Sequence, residues 1–379
     1  MDFNLTEEHE LIRQSVREFS DRYVCPIADE VDQEPRFPAE TVKRLAEQDL
    51  LGIPYPPEYG GAGADYLSYI LVLEELSRAC TTTGFTVQCH TSLAEFPLFR
   101  FGTEAQKKKY LTPLCKGEML GSFALSEPEA GIDEAAGTTT AVLDGNEWVL
   151  NGSRIFISNA SVAGMIVVFA MTDKSRGAEG ISAFIVRAGT PGLRIGRHLK
   201  KVGIRGSLMA EVFLENCRIS KEDLLGAEGQ GNEIARMTLD GSRIGIAAQA
   251  VGIAQAALDE SIKYSKQRVQ FGQPIASFQA IQGIIANMAT DVQAARLLTY
   301  QAAWCYDQGL PYSARAAMAK LFASEAASRQ TDRAVQVHGG IGYVKGSKVE
   351  RLYRDAIIWM SHDGTPDVMR MVIAEGFLS

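Results

Sequence analysis

Four short runs in this 379-residue chain carry side chains that could bind or transform a small molecule. Ser126-Glu127-Pro128 precedes Gly131, and Phe156-Ile157-Ser158-Asn159 closes a β-branched run. Arg268 stands ahead of Phe271-Gly272, and Gly339, Gly340 and Gly342 cluster after a helical stretch. On a strand, side chains two apart share a face, so Phe156 and Ser158 could stack on a planar ring and hydrogen-bond its edge. The same pattern also suits a strand end facing a core. Likewise the Ser126 run fits an ordinary loop, Arg268 a surface ion pair, and the glycines a tight turn or a phosphate cradle. Neither GxxxxGK[ST] nor a GxGxxG between strand and helix occurs, which disfavours a Walker ATPase and a Rossmann NAD enzyme.

Metal and thiol chemistry find no support. The six cysteines (Cys25, Cys80, Cys89, Cys115, Cys217, Cys305) are scattered without a CxxC pair, and the five histidines form no HExxH. Such scatter reads as free thiols in a reducing compartment, with no metal site. Lysine plus arginine number 38 against 46 acids, a net charge of -8, and no basic stripe is visible, so nucleic acid is not an expected partner. The acidic, amphipathic start lacks the features of a signal peptide, and no apolar stretch is long enough for a bilayer. The expectation is a soluble cytoplasmic protein without membrane insertion.

The elements that must position these residues fall into three textures. The length calls for two or three domains. From Leu5 to about Lys116 the pattern is helical, with Leu11, Ile12, Val16, Phe19 and Tyr23 at three- and four-residue spacing. Ile53 to Asp65 is dense in proline and glycine and reads as a loop. Between Gly121 and Gly226, short runs such as EWVL, RIFIS and MIVVFAM alternate with turns at Asp144-Gly145 and Asn151-Gly152. Six or more short antiparallel strands, in a small barrel or sandwich, are expected there. After Gly231, Ile244 to Lys266, Phe278 to Trp304 and Ala314 to His338 each suit a bundle helix. The fold class is α+β, with expected domains at residues 1–120, 121–230 and 231–379.

In combination, these runs and others resemble the acyl-CoA dehydrogenase family along the whole chain. The matching blocks are FALSEPEAGID (Phe123 to Asp133), NGSRIFISNA (Asn151 to Ala160), LDGSRIGIAAQ (Leu239 to Gln249), RVQFGQPIASFQ (Arg268 to Gln279), QVHGGIGY (Gln336 to Tyr343) and RLYRDA (Arg351 to Ala356). The pattern looks closest to short-chain, butyryl-CoA type members. The resemblance implies an N-terminal helical domain, a middle β-barrel, a C-terminal four-helix bundle, FAD, a homotetramer, and electron-transferring flavoprotein as acceptor. By position it implies that Phe123, Leu125, Ser126, Phe156, Ile157 and Ser158 embrace the isoalloxazine, with Ser158 near its N5. It implies further that Arg268 and Phe271 reach the pyrophosphate and adenosine half across a subunit boundary. Gln279, Gln336, Gly339, Gly340, Thr365 and Asp367 complete that cofactor set. Asp240 and Arg243 would meet the pantetheine or adenine end of CoA, and Ile132 and Gly364 would lie near the thioester.

The reaction implied removes the α proton with a base while a hydride leaves the β carbon for flavin N5. The family's base is the glutamate of a Tyr-Glu-Gly-Thr-Ser-Glu run, and this chain reads His362-Asp363-Gly364-Thr365-Pro366-Asp367. Some members place the base instead just before the arginine of the LDGSR block, which is Ser242 here. Asp363 is therefore the expected base. It is shorter than glutamate by one methylene, about 1.5 Å, and a misplacement of about 1 Å can cost on the order of 100-fold in rate. That aspartate looks like the base of the cyclohexanecarboxyl-CoA dehydrogenases, so the expected substrate is cyclohexane-1-carboxyl-CoA. A straight short-chain thioester is the alternative, and a non-catalytic acyl-CoA-binding flavoprotein is the contrasting class. Glu95, in the segment His90 to Phe99, would be a second acid beside the acyl cavity or else a surface or salt-bridged glutamate. Thr91 stands where a relative performing 1,4-elimination on cyclohexene rings has aspartate, which argues against that reaction.

Overall fold

A computed structural model describes residues 4–130 and 137–378. Helix α1 (Glu7–Phe19) starts where the Thr6 hydroxyl accepts the N–H of His9 at 3.2 Å, with Glu7, Glu8 and Glu10 in its first turn facing the positive end of the dipole. After the Pro/Gly-rich loop, Asp65 caps α2 (Tyr66–Ala79) by accepting the N–H of Ser68 at 2.8 Å. Helix α3 (Thr81–Gln88) then runs directly into a π-helical turn, Cys89–Glu95, every residue of which is buried. Wide turns of this kind concentrate at functional sites.

The middle region is a single eight-stranded sheet. Its strands are β1 (Leu120–Ala124), β2 (Thr140–Asp144), β3 (Glu147–Ser158), β4 (Ala163–Met171), β5 (Ile181–Arg187), β6 (Leu193–His198), β7 (Met209–Ser220) and β8 (Leu224–Leu225). They pair in the order β6-β7-β3-β2-β4-β5-β8, with β1 on β4. Two expectations need amendment. Strands β1 and β2 lie parallel to β4, so the sheet is mixed. Among the described strands the paired path also runs from β6 to β8 without closing into a barrel. The run MIVVFAM on β4 is apolar throughout because both faces are covered: Met165, Val167 and Phe169 pack toward Tyr110 and Leu114, while Ile166 and Val168 pack with Trp148 and Phe184.

Helix α4 (Gly231–Gln267) is the buried axis of the C-terminal part, flanked by α2 and by α5 (Gln279–Asp307) and α6 (Ser313–His338). It begins at Gly231, so Leu239 to Gln249 lie inside it. Close approach to α2 depends on Gly252, where a Cβ would fall 2.3 Å from the carbonyl oxygen of Glu74. Glu74 in turn accepts from Arg296 of α5 at 2.7 Å.

Helix α7 (Lys348–Ala356) is tied to the N-terminal part by Arg351 on Asp29 and by Arg354 on Asp32 at 2.6 Å. It is tied to the sheet region by Asp355, which accepts the N–H of Ile204 at 2.6 Å. Burial pushes the Asp355 carboxyl up to about 6. Helix α8 (Pro366–Leu378) closes the described chain. All six cysteines are unpaired, five of them buried. Among the described residues no helix is long and apolar enough to cross a membrane, and no three His, Cys, Asp or Glu side chains are grouped to hold a metal.

Candidate active site

The turn between α7 and α8 holds the most elaborate polar arrangement of the site. A short 3-10 segment, Ile357–Met360, leads to His362, whose N–H donates to the carbonyl of Ile358 at 2.9 Å. Asp363 and Gly364 then both take positive φ, +52° and +105°. Aspartate tolerates that region better than most residues. At Gly364 a Cβ would lie 2.7 Å from Cε of Met369, so glycine is needed there. Three side chains pin the turn. Ser242 of α4 donates its hydroxyl to Oδ2 of Asp363, Arg243 of α4 donates to the Asp363 carbonyl at 3.4 Å, and Lys320 of α6 donates to the Gly364 carbonyl at 2.5 Å. Gln88, at the end of α3, donates its amide N–H to the Ser242 oxygen at 2.5 Å. Only 6% of the Asp363 side chain is exposed, and His362 Nε2 lies 3.4 Å from its Oδ1. The N–H of Asp363 donates to nothing among the described residues.

Burial sets the electrostatics. Lys320 is fully buried, and loss of solvation pushes its amine down to about 8, against the pull of Asp363. Burial likewise lowers His362, opposed by Asp363. Arg243 and Asp240 form a buried pair at 2.6 Å on one face of α4. Facing inward, Arg243 also holds the Asp363 turn, a contact the sequence reading did not foresee. Glu95 is not at the surface: it has no exposure and its carboxyl sits 3.3 Å from Nε2 of His90. Burial raises its pKa, with His90 opposing. Thr91 is also buried, donating to the Leu51 carbonyl at 2.6 Å.

On the sheet side, Phe156 takes φ +62° and leaves its ring 58% exposed. The β3–β7 register shifts between Arg154 and Ile157, so alternation cannot be carried from Phe156 to Ser158 as the sequence pattern supposed. Ile157 points into the sheet core. Ser158 is buried, and its hydroxyl has no hydrogen-bond partner among the described residues beyond the neighbouring Cys89 thiol. A strained, exposed aromatic beside an orphaned buried hydroxyl fits the edge of a planar ring. Phe123 packs edge-on against Phe169 at 4.9 Å. Leu125 and Ser126 follow β1, where Arg154 and the N–H of Ile155 donate to their carbonyls. Buried Glu127 pairs with Arg154 at 3.0 Å and fixes that loop. Ile132 lies outside the described residues.

A second group of expected residues lies apart. Arg268 follows α4, Phe271 tops the hairpin of β9 (Val269–Gln270) and β10 (Gln273–Pro274), Gln279 opens α5, Gln336 lies in the last turn of α6, Gly339 caps it and Gly340 begins the short helix that follows. All are exposed, and none shares a hydrogen bond, ion pair or ring contact with Phe156, Ser158 or Asp363 among the described residues. Thr365 accepts the N–H of Val368 at 3.4 Å at the start of α8, and Asp367 pairs with Arg370 at 3.1 Å on the surface. Sequence reasoning missed Gln88 and Lys320. The lone lysine in the alanine-rich run AAMAKLFASEAA was a usable signal, whereas Gln88 carried none.

Helical parts on either side of a sheet, with a buried hydroxyl at the end of β3 and a pinned carboxylate in the turn before α8, fit a flavin-dependent oxidoreductase. Comparison with known proteins narrows the class. The acyl-CoA dehydrogenase N-terminal domain matches residues 6–118, the middle domain residues 122–217 and the C-terminal domain residues 229–378. The chain belongs to the acyl-CoA dehydrogenase family, and its cofactor is FAD. The short-chain specific acyl-CoA dehydrogenase of Clostridium acetobutylicum is 50% identical over 374 residues, 99% of both chains. Butyryl-CoA dehydrogenase from Megasphaera elsdenii superimposes with a TM-score of 0.98 at 43% identity, covering 100% of both chains. A chain from a study of the electron transferring flavoprotein of Acidaminococcus fermentans, on flavin-based electron bifurcation, gives a TM-score of 0.98 at 49% identity, again covering 100% of both. These relatives give no support to cyclohexanecarboxyl-CoA specificity; they favour the straight-chain alternative.

Proposed function

We propose that this protein dehydrogenates a short-chain acyl-CoA thioester between its α and β carbons, with Asp363 as the base. The observation that carries the reading is the Asp363 carboxylate, buried and held at one oxygen by Ser242, on a turn pinned by Arg243 and Lys320. FAD, when bound, supplies the acceptor for the hydride that leaves the β carbon. Asp363 takes the α proton on a carboxylate oxygen. Its unengaged N–H binds the thioester carbonyl oxygen, stabilising the charge that develops there and so acidifying the α C–H. Phe123, Leu125, Ser126, Phe156, Ile157 and Ser158 would hold the ring portion of the cofactor. Arg268, Phe271, Gln279, Gln336, Gly339 and Gly340 would hold the pyrophosphate and adenosine portion of a cofactor in a neighbouring copy, within a homotetramer. The likeness to the chain from the electron transferring flavoprotein study supports such a flavoprotein as electron acceptor. The cyclic substrate rests on the shortened base alone, whereas whole-chain similarity supports the straight short chain.

The test is anaerobic flavin bleaching and steady-state turnover with butyryl-CoA and with cyclohexanecarboxyl-CoA. Butyryl-CoA is expected to bleach the flavin and turn over faster. Asp363→Asn should keep its FAD but lose about 10²- to 10⁴-fold in kcat, the usual worth of a positioned base. Faster turnover of the cyclic thioester would overturn the substrate assignment, and undiminished activity of Asp363→Asn would overturn the base.

A further inference from the structure

Three buried groups from three separate elements meet in one line: Gln88 at the end of α3, Ser242 within α4, and Asp363 in the turn before α8. Gln88 and Ser242 have no exposure at all. We propose that Gln88 and Ser242 are positioning residues for the base, a two-link relay in which Gln88 aims the Ser242 proton at Oδ2 of Asp363 and so reserves Oδ1 for the substrate proton. The proposal rests on the assignment of Asp363 as the base.

The direction of the relay follows from donor and acceptor counting. An amide nitrogen can only donate, so the Ser242 oxygen, 2.5 Å from Gln88 Nε2, is the acceptor in that bond. The orientation of the amide is itself set, because the Cys89 thiol donates to Gln88 Oε1 at 3.5 Å. The one proton of Ser242 must then go elsewhere, and among the described residues its acceptor is Oδ2 of Asp363. A hydroxyl donating to a carboxylate makes a short, charge-assisted bond, roughly twice as strong as a neutral one. It engages one oxygen and leaves the other, which lies 3.4 Å from His362 Nε2.

A shortened base gains most from such a tether. Aspartate has one side-chain torsion fewer than glutamate, and its reach is about 1.5 Å less. It cannot seek out the substrate proton by extending, so its fixed position decides the rate. The other charged or titratable groups around Asp363 are His362 on its own turn, Lys320 on α6, Arg243 on α4 with its partner Asp240, and the Cys89 thiol in the π-helical turn. Changing Ser242 removes none of them, whereas Gln88→Leu also takes away the acceptor of the Cys89 thiol.

The experiment uses the FAD-loaded protein with butyryl-CoA and follows kcat and KM for Ser242→Ala, Ser242→Thr and Gln88→Leu, with Asp363→Asn alongside. Ser242→Ala should lower kcat by roughly 10- to 100-fold, with KM within about twofold. Ser242→Thr keeps the hydroxyl and should restore kcat. Gln88→Leu leaves the Ser242 proton unaimed and should show a smaller loss of kcat with KM again little changed. If Ser242→Ala does not retain FAD, Ser242→Cys, a weak donor of similar size, replaces it with the same expected split. The relay is overturned if the Ser242 variants keep the parent kcat, or lose kcat with KM raised in proportion or without rescue by threonine. Full activity of Asp363→Asn would instead remove the base reading itself, an outcome separate from either of these.

Discussion

At Glu95 a carboxyl group lies wholly inside the protein, 3.3 Å from Nε2 of a histidine held between backbone groups. His90 Nδ1 accepts the N–H of Gly121 at 3.0 Å, and its Nε2 lies 3.2 Å from the Leu114 carbonyl. Burial outweighs this neighbour and raises the Glu95 pKa above the ordinary 4.5. The sign of the pH effect follows. Above 4.5 the unfolded chain has released this proton while the native state still holds it, so stability falls as pH rises through the window between 4.5 and the raised value. Glutamine cannot ionise and keeps the shape. Glu95→Gln should therefore be more stable than the parent at pH 8, by about 2–4 °C in Tm, with the gap closing toward pH 5. Thermal unfolding at the two pH values checks this, and a variant less stable than the parent at pH 8 would show that the ionised form is tolerated. The sequence placed an acid in this segment but left its setting open, because a glutamate among leucine and phenylalanine reads the same on a surface helix as in a wide buried turn.

The Asp363-Gly364 turn, which carries the proposed base, takes its shape from two successive residues of positive φ. Gly364, at φ +105° and with a Cβ position 2.7 Å from Cε of Met369, is the residue least able to accept a side chain. Gly364→Ala should cost about 1–3 kcal/mol of stability from backbone strain and roughly 100-fold in kcat from displacement of the carboxylate. Asp363→Asn, by contrast, should lose activity without moving the turn. Chemical denaturation and turnover of the two variants side by side separate these effects, and a Gly364→Ala protein with parental kcat would show that the turn relaxes without moving Asp363. Helices were the most legible elements, since α4, α5 and α6 repeat apolar and small residues at helical spacing over many turns. Strand positions were legible from β-branched runs and Asp-Gly or Asn-Gly turns. Pairing was not: alternation gives a strand its faces but not its neighbours, which is why β1 and β2 running parallel to β4 went unforeseen. The bulge at Phe156 broke the one place where alternation was used to argue a site.

Across the whole molecule, the residues that resemblance assigns to FAD split into a sheet-borne set beside the Asp363 region and a distant set at the ends of α4 and α6. Motif order along the chain made both sets legible, but their separation in space follows from packing, as does the meeting of Gln88 with Ser242 across 154 positions. The distant set sits among apolar side chains that a lone chain leaves in water: Phe271 is 93% exposed, Tyr343 83%, Val344 60% and Ile341 56%. Apolar residues concentrated in this way are of the kind found at protein contacts and ligand grooves. Phe271 also takes φ +51° at the tip of the β9–β10 hairpin, a conformation that turns a phenylalanine outward at some conformational expense. If a second copy packs there and shares the cofactor, assembly and FAD retention must fail together. Phe271→Glu places a charge at that contact and should both lower the assembly state, read by sedimentation velocity, and raise the fraction of FAD lost on gel filtration. Arg268→Ala, which removes a cation without adding repulsion, should release FAD with less effect on assembly, and that difference tests which side chain serves the phosphates and which the protein contact. A Phe271→Glu protein that sediments like the parent and keeps its full complement of FAD would place the cofactor within a single chain.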